Sequence, residues 1–243
     1  MWNENQFNLS QNAGMQEEMA RKNWETQGGY QAKTSGNYGE FKLASVLEAL
    51  PDEFHVLNDI LLNTTRKKKL RNGKVVTCGK ETSTQLDHVI VSPYGVFVIE
   101  TKNHKGMIFG DMNGTVWTQV LRGRAHYTFY NPITQNLGHI KHLCTQSGLN
   151  PKYVTGIIVF TNDEADLTNV QYGCCIRAEM LYAYLMNYAC NPVLTDKNVY
   201  DIIKRLDKIN QSGYLNAQKH IQFVKQQKER FEYYNARKKG LMR

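Results

Sequence analysis

Two apolar runs separated by a tight turn constrain this chain more than any other feature. Leu86-Asp87-His88-Val89-Ile90-Val91 leads through Ser92-Pro93-Tyr94-Gly95 into Val96-Phe97-Val98-Ile99-Glu100-Thr101-Lys102. β-Branched and aromatic runs of this length, joined by Pro and Gly, predict a β-hairpin. The hairpin is apolar on both faces, which predicts a central place in a sheet. Whether the turn has two or four residues, Val91 faces Val96. The same register sets Asp87 opposite Glu100 and Gln85 opposite Lys102, with opposed Cβ atoms about 4.5–5.5 Å apart. Period-two alternation puts Glu100 and Lys102 on one face and Thr101 on the other.

Two carboxylates and an ammonium thus meet at the end of the hairpin. Facing carboxylates repel unless something cationic sits between them, and hard oxygen ligands suit Mg2+ or Mn2+. Lys102 can then orient or activate an attacking water, or stabilise charge on a phosphate. A structural Asp–Lys or Glu–Lys ion pair at a strand end fits the same residues. The register alone leaves both readings open.

Around the hairpin the pattern predicts an α/β chain. Residues 1–37 are polar, with a short helix expected at 11–24 and a glycine-rich joint after it. A helix over 38–49 stops at Pro51, and 54–62 reads as a strand. Residues 63–83 form a loop or hairpin excursion, and 107–109 with 115–121 a second hairpin. Asn131-Pro132 opens a helix to about 146, with Asn as N-cap and Pro at the first helical position. In that helix Gln135, His139 and His142 share one stripe, opposite Ile133, Leu137, Ile140 and Cys144; a stripe turned toward the carboxylates and an ordinary solvated face both fit it. A strand over 153–160 and a helix over 178–190 follow. Val199, Ile202, Ile203, Leu206 and Ile209 make an amphipathic helix; past Ser212-Gly213, Ile221, Val224 and Phe231 belong to another.

Charge narrows the partners. The formal net charge is +8, and residues 219–243 hold eight basic residues against two acidic ones. Lys225, Lys228, Arg237, Lys238 and Lys239 belong to this tail, and Lys67, Lys68 and Lys69 form a second cluster. Such clusters suit a polyanion, because neutralising phosphates releases counterions; a solvated tail that aids solubility fits too. No apolar run reaches the length of a membrane span, and the N-terminus lacks the basic start and apolar core of a signal peptide. A soluble cytoplasmic protein is expected. Five cysteines without a C-x-x-C pair fit buried thiols in a reducing compartment better than zinc or disulfides.

A resemblance sharpens the hairpin reading. Gly39-Glu40, Leu57-Asn58-Asp59, the stretch 84–103, Gly106-x-Ile108-x-Gly110, Trp117 and Tyr130-Asn131-Pro132-x-x-Gln135-Asn136-x-x-His139-Ile140 resemble the nuclease-related domain (NERD) family. That family belongs to the PD-(D/E)XK nuclease superfamily, and the resemblance covers about residues 38–162. It implies a mixed α/β core of restriction-endonuclease type, a mixed sheet flanked by helices, here with a helical C-terminal extension. It also implies phosphodiester cleavage with Mg2+ or Mn2+, Asp87 and Glu100 as metal ligands and Lys102 as catalytic lysine. Glu40 matches the acidic residue that such folds place on the first helix, and Gln135 the glutamine on the helix after the hairpin.

The chain accordingly divides into a polar segment 1–37, a nuclease-like domain 38–190 and a basic helical extension 191–243. No helicase, kinase or zinc module fits beside the domain. The expected function is a metal-dependent nuclease acting on DNA, its basic tail assisting substrate binding. The alternatives are a non-catalytic nucleic-acid-binding module and an interaction protein that forms homo-oligomers through its C-terminal helices. Trp117, Tyr127, Phe129 and Tyr130 fit either base stacking or the core.

Overall fold

A computed structural model describes residues 35–63, 66–71, 73–78, 83–123, 125–170 and 172–214; the side chains of 35–41, 63–69, 75–78 and 211–214 lie outside that description. The hairpin forms as the sequence predicts. Strands β4 (Ser83–Ser92) and β5 (Gly95–Lys102) pair antiparallel with Val91 opposite Val96. They sit inside a five-stranded sheet with β1 (His55–Asn63), β9 (Val154–Phe160) and β11 (Cys175–Arg177), in the order β1-β4-β5-β9-β11. The β1-β4-β5 side is antiparallel and the β5-β9-β11 side parallel. A basic hairpin, β2 (Arg66–Lys69) and β3 (Val75–Cys78), separates β1 from β4.

A second mixed sheet has the order β10-β6-β7-β8, from β6 (Gly106–Phe109), β7 (Val116–Val120), β8 (His126–Tyr130) and β10 (Ala165–Asp166). Two mixed sheets flanked by helices give the α/β architecture expected of the restriction-endonuclease type.

Alternation along the hairpin divides the core. Val89, Val91, Val96 and Val98 pack under α2 (Pro132–Ser147) and α4 (Asp196–Tyr214), with Leu143, Val199, Ile202 and Leu206. Ile90, Phe97 and Ile99 point the other way, against Leu43 and Leu47 of α1 (Ser35–Glu48) and Leu181 and Leu185 of α3 (Leu181–Met186). Covering both faces explains why the hairpin reads as continuous apolar runs. Lys42, itself buried, pairs with Asp163 and with Glu179 Oε2 at 3.4 Å, tying α1 to the loop after β9.

The alternation slips at one place. On β4, Leu86 joins the same cluster as Val89 and Val91, so the face changes across Asp87. On β1 the corresponding step holds Asp59, which has φ +54, uncommon for a residue other than glycine. The β4–β5 ladder runs from Ser92 to His88, whereas β4 stays paired with β1 down to Ser83. The two strands of the hairpin therefore part at Asp87.

Several expectations need correction. Gln85 does not face Lys102; it pairs with Leu61 and bonds Asp59, because β4 has left β5 by then. Residues 178–190 are not one helix but a 3-10 turn, Ala178–Met180, followed by α3 alone. Helix α4 runs through Ser212-Gly213 to Tyr214, since one glycine costs a helix only about 1 kcal/mol. Strands β8, β10 and β11 go beyond the sequence pattern; each is short. The cysteines are not uniformly buried: Cys190 is exposed and Cys174 half-buried. The expected helices over 11–24 and beyond Ser212-Gly213 lie outside the described residues.

The capped start of α2 matches the sequence reading. Asn131 Oδ1 accepts from the backbone N–H of Ile133 (2.9 Å) and Thr134 (3.4 Å), and its Nδ2 donates to the carbonyls of Asp111, Met112 and Gly114. At the other end Gly148 takes φ +70 and its N–H returns to Cys144 O at 3.0 Å, a left-handed closure that glycine makes without strain. One buried amide thus caps the helix and holds the loop before β7. Asn131→Ala is expected to lower unfolding free energy by at least about 2 kcal/mol, since a cap and several buried carbonyl partners go together. Urea unfolding checks this; a loss below about 0.5 kcal/mol would show that water replaces the amide.

Candidate active site

Glu100 and Lys102 share the β5 face that α2 covers, so the helix lies over both. The Glu100 side chain is almost wholly buried, its residue 3% exposed, and a carboxylate in that position is costly unless paired and hydrogen-bonded. Three groups do this. Lys102 Nζ donates to Glu100 Oε1 at 2.5 Å, Gln135 Nε2 to the same oxygen at 2.6 Å, and His139 Nε2 lies 3.1 Å from Oε2. Lys102 also donates to Gln135 Oε1 at 3.1 Å, which closes a ring of three side chains. Thr84 Oγ1 sits 2.9 Å from His139 Nδ1. A neutral His139 that donates from Nε2 to Glu100 accepts the Thr84 hydroxyl proton at Nδ1.

Asn136, the residue after Gln135, holds the helix at this height. Its Nδ2 donates to Val98 O at 2.9 Å and Ile157 O at 3.3 Å, bonding α2 to both β5 and β9. Gln135 and His139 inherit their reach from that anchor.

Asp87 stands where β4 leaves β5. Its Oδ2 accepts the Thr101 backbone N–H at 2.8 Å and the Thr101 hydroxyl at 2.7 Å. A side-chain oxygen thus takes a backbone donor just past the last β4–β5 pair. Without it that N–H would lose its ladder partner, and an unpaired backbone donor away from water is costly.

The two carboxyls differ electrostatically. Burial and then the Glu100 charge push Asp87 above the usual carboxylate range, against the Thr101 bonds and the Lys102 charge. Burial pushes Glu100 the same way, but the His139 bond and the charge and bond of Lys102 outweigh it, so its carboxyl titrates below the usual range. Glu100 is compensated and Asp87 is short of positive charge.

That deficit fits a hard divalent cation. The carboxylate oxygens of Asp87 and Glu100 are the hard donors at this site, although among the described residues no group of three or more His, Cys, Asp and Glu gathers that could hold a metal ion. Mg2+ commonly binds through one or two carboxylates, with water and phosphate completing its shell. A cation there would lower the Asp87 pKa by opposing both causes that raise it.

The structure joins Glu100, Lys102 and Gln135 by hydrogen bonds and holds Asp87, through Thr101, where the Glu100 and Lys102 charges act on it. Glu40 lies in α1, two residues before buried Lys42, and Lys67, Lys68 and Lys69 lie in β2; their side chains are outside the description. Lys225, Lys228, Arg237, Lys238 and Lys239 lie outside the described residues. Of the two readings of the polar stripe of α2, Gln135 and His139 take the one that faces the carboxylates. His139 is 7% exposed and meets Glu100, whereas Leu137, assigned to the opposite, apolar side, is 57% exposed. Sequence reasoning misses Thr84 and Thr101 as partners. Their signal is adjacency to the acids, too common a feature to select them. His88 turns to Asn58, with 2.8 Å between His88 Nδ1 and Asn58 Oδ1, in keeping with its alternation away from Asp87.

The family model of the nuclease-related domain matches residues 35–161, which takes in Asp87, Glu100, Lys102, Gln135 and His139. An uncharacterized protein of Bacillus anthracis is 34% identical over 110 residues, a match that spans 45% of this chain and 45% of that relative. No solved structure matches the chain. Matched over more than half of its length, the chain belongs to the nuclease-related domain family.

Proposed function

We propose that the protein is a nuclease that hydrolyses DNA phosphodiester bonds with Mg2+ or Mn2+. The observation that carries this reading is the buried Glu100 carboxylate, bound by Lys102, Gln135 and His139 beside an under-compensated Asp87. Asp87 and Glu100 would hold the cation, which when bound supplies Lewis-acid stabilisation of charge on the phosphoryl group.

The chain's own residues do the rest. Lys102 has three ammonium protons, two of them directed to Glu100 and Gln135, and the third serves a phosphate oxygen or orients the attacking water. Gln135 bridges Lys102 and Glu100, accepting from the ammonium and donating to the carboxylate. His139, set by Thr84, fixes the second Glu100 oxygen. Thr101 fixes the Asp87 rotamer through two bonds. Preorganised donors of this kind cost no reorganisation as charge develops.

The basic clusters serve substrate holding in this reading, with Lys67, Lys68 and Lys69 on the β2–β3 hairpin and the C-terminal set as phosphate contacts. Among the described residues no helix is long and apolar enough to cross a membrane, and DNA in the cytoplasm is the proposed setting. The hydrophobic stripe of α4 is spent in the core through Val199, Ile202 and Leu206, so any homo-oligomer would draw on residues beyond it.

Two tests follow from this arrangement. On labelled circular and linear DNA with Mg2+, Asp87→Asn and Lys102→Met should each lower the cleavage rate by about a hundredfold or more, in the range for removal of a transition-state donor. Gln135→Ala should retain more activity, since Lys102 and Glu100 still meet without it. Circular dichroism confirms the fold of each variant. Wild-type rates in both Asp87→Asn and Lys102→Met would place the chemistry elsewhere, whereas a wild type that cuts none of these DNAs would make the protein a binding module on a nuclease fold.

The second test concerns the basic clusters in the full-length protein. Replacing Lys67, Lys68 and Lys69 by Ala, or the five C-terminal residues named above, should weaken duplex binding and flatten its salt dependence. For every phosphate that is no longer neutralised, the slope of log K against log salt falls by about 0.9. An unchanged slope would leave those lysines and arginines as solvated charge.

A further inference from the structure

The second sheet lies beside the carboxylate site, and its strands sort the aromatic residues. Trp117 and Phe129 are cross-strand partners, as are Gln119 and Tyr127, so alternation puts all four on one face. Trp117 is fully buried there with Ile108 and Ile133 and is core. Tyr127 is 55% exposed on that same face, and Tyr130, 45% exposed, is on the other. Position therefore distinguishes two tyrosines of similar exposure.

The face that carries Tyr127 connects to the catalytic strand through contacts. His104, two residues past Lys102, stacks on Phe129 with ring centroids 4.0 Å apart. Burial and the nearby Lys102 charge lower the His104 pKa, against a hydrogen bond that His104 donates to Gln119. Gln119 Nε2 also donates to Lys105 O at 2.7 Å, which fixes the partner of Tyr127 to the segment leaving β5. Lys105 follows Lys102 by only three positions, at most about 10 Å of chain.

We infer that Tyr127 is a base-stacking residue that holds an unpaired nucleotide of the DNA close to the scissile phosphate. An exposed tyrosine on a strand, on the same face as Phe129 of the stacked His104–Phe129 pair and paired in register with the pinned Gln119, presents an aromatic surface to solvent. Stacking on such a surface accepts any base, because every base has a π-face. Within a duplex those faces are covered by neighbouring pairs, so the platform selects single strands, overhangs or frayed ends. The inference rests on the nuclease reading for its substrate and adds the strandedness.

The test uses the full chain in EDTA, where cleavage is suppressed, and fluorescence anisotropy with a labelled single-stranded thymidine oligonucleotide. A second probe of equal length has an abasic backbone. Tyr127→Ala should weaken binding to the thymidine strand about fivefold or more. Tyr127→Phe, which keeps the ring, should bind within about twofold of wild type, the ring being the stacking element. Tyr130→Ala should bind as wild type, and the abasic strand should not distinguish Tyr127→Ala from wild type.

Wild-type affinity in Tyr127→Ala overturns the inference, as does an equal loss on the abasic strand or in Tyr130→Ala. A wild type that binds neither probe also overturns it. Cleavage in Mg2+ keeps the two readings apart. A wild type that cuts DNA with no change of KM on single strands in Tyr127→Ala retains the nuclease and loses the platform. A wild type that cuts nothing loses the nuclease, while base-dependent binding through Tyr127 still shows in EDTA.

Discussion

The buried carboxylate of Glu100 is the constraint on which the rest of the site depends. An unpaired charge at 3% exposure would cost several kcal/mol, and the fold offsets that with Lys102, Gln135 and His139. Lys102 comes from the same face of β5, two residues on. Gln135 and His139 come from α2, so the helix must lie over the end of that strand at one height and one rotation. Asn131 sets where the helix starts, and Asn136 bonds it to β5 and β9. Capping, packing and the electrostatics of one side chain are a single problem here.

The parting of the hairpin strands at Asp87 supplies the second half of the geometry. A regular β4–β5 ladder would continue past His88; the chain turns away where the alternation slips and where Asp59 on β1 adopts a left-handed φ. Asp87 then answers the Thr101 N–H with its carboxylate instead of its backbone. The result is an unequal pair, in which Glu100 is held charged by its neighbours and Asp87 is left short of compensation. Unequal carboxyls beside a lysine are what a cation and a phosphate together would balance.

Much of this is legible in the hairpin. Its apolar runs and turn residues imply the pairing of Val91 with Val96, and alternation implies the shared face of Glu100 and Lys102. Asn131-Pro132 marks the start of α2 because capping chemistry is local. Gln85 is misplaced by register arithmetic because that arithmetic assumes a ladder without slips, and a positive φ at Asp59 is not written in residue types. Leu137 is misplaced because a helical wheel gives angles, and tertiary contacts decide which angle faces the core; the same contacts turn Gln135 and His139 to Glu100 and not to solvent. The short strands β8 and β11 escape the pattern because residues of that kind pair only when a neighbouring strand is already present. Glycine at 213 reads as a break, whereas packing of α4 on the sheet outweighs it.

Whether Asp87 and Glu100 form one cation site is decided by thermal unfolding in the presence of Mn2+. A ligand that binds only the folded state stabilises it by RT ln(1 + [M]/Kd), about 2.7 kcal/mol at a hundredfold excess over Kd. With a shared site, the melting temperature rises with Mn2+ in the wild type, returns to baseline with EDTA, and stays flat in Asp87→Asn. A rise of equal size in both proteins would place the metal elsewhere and contradict it.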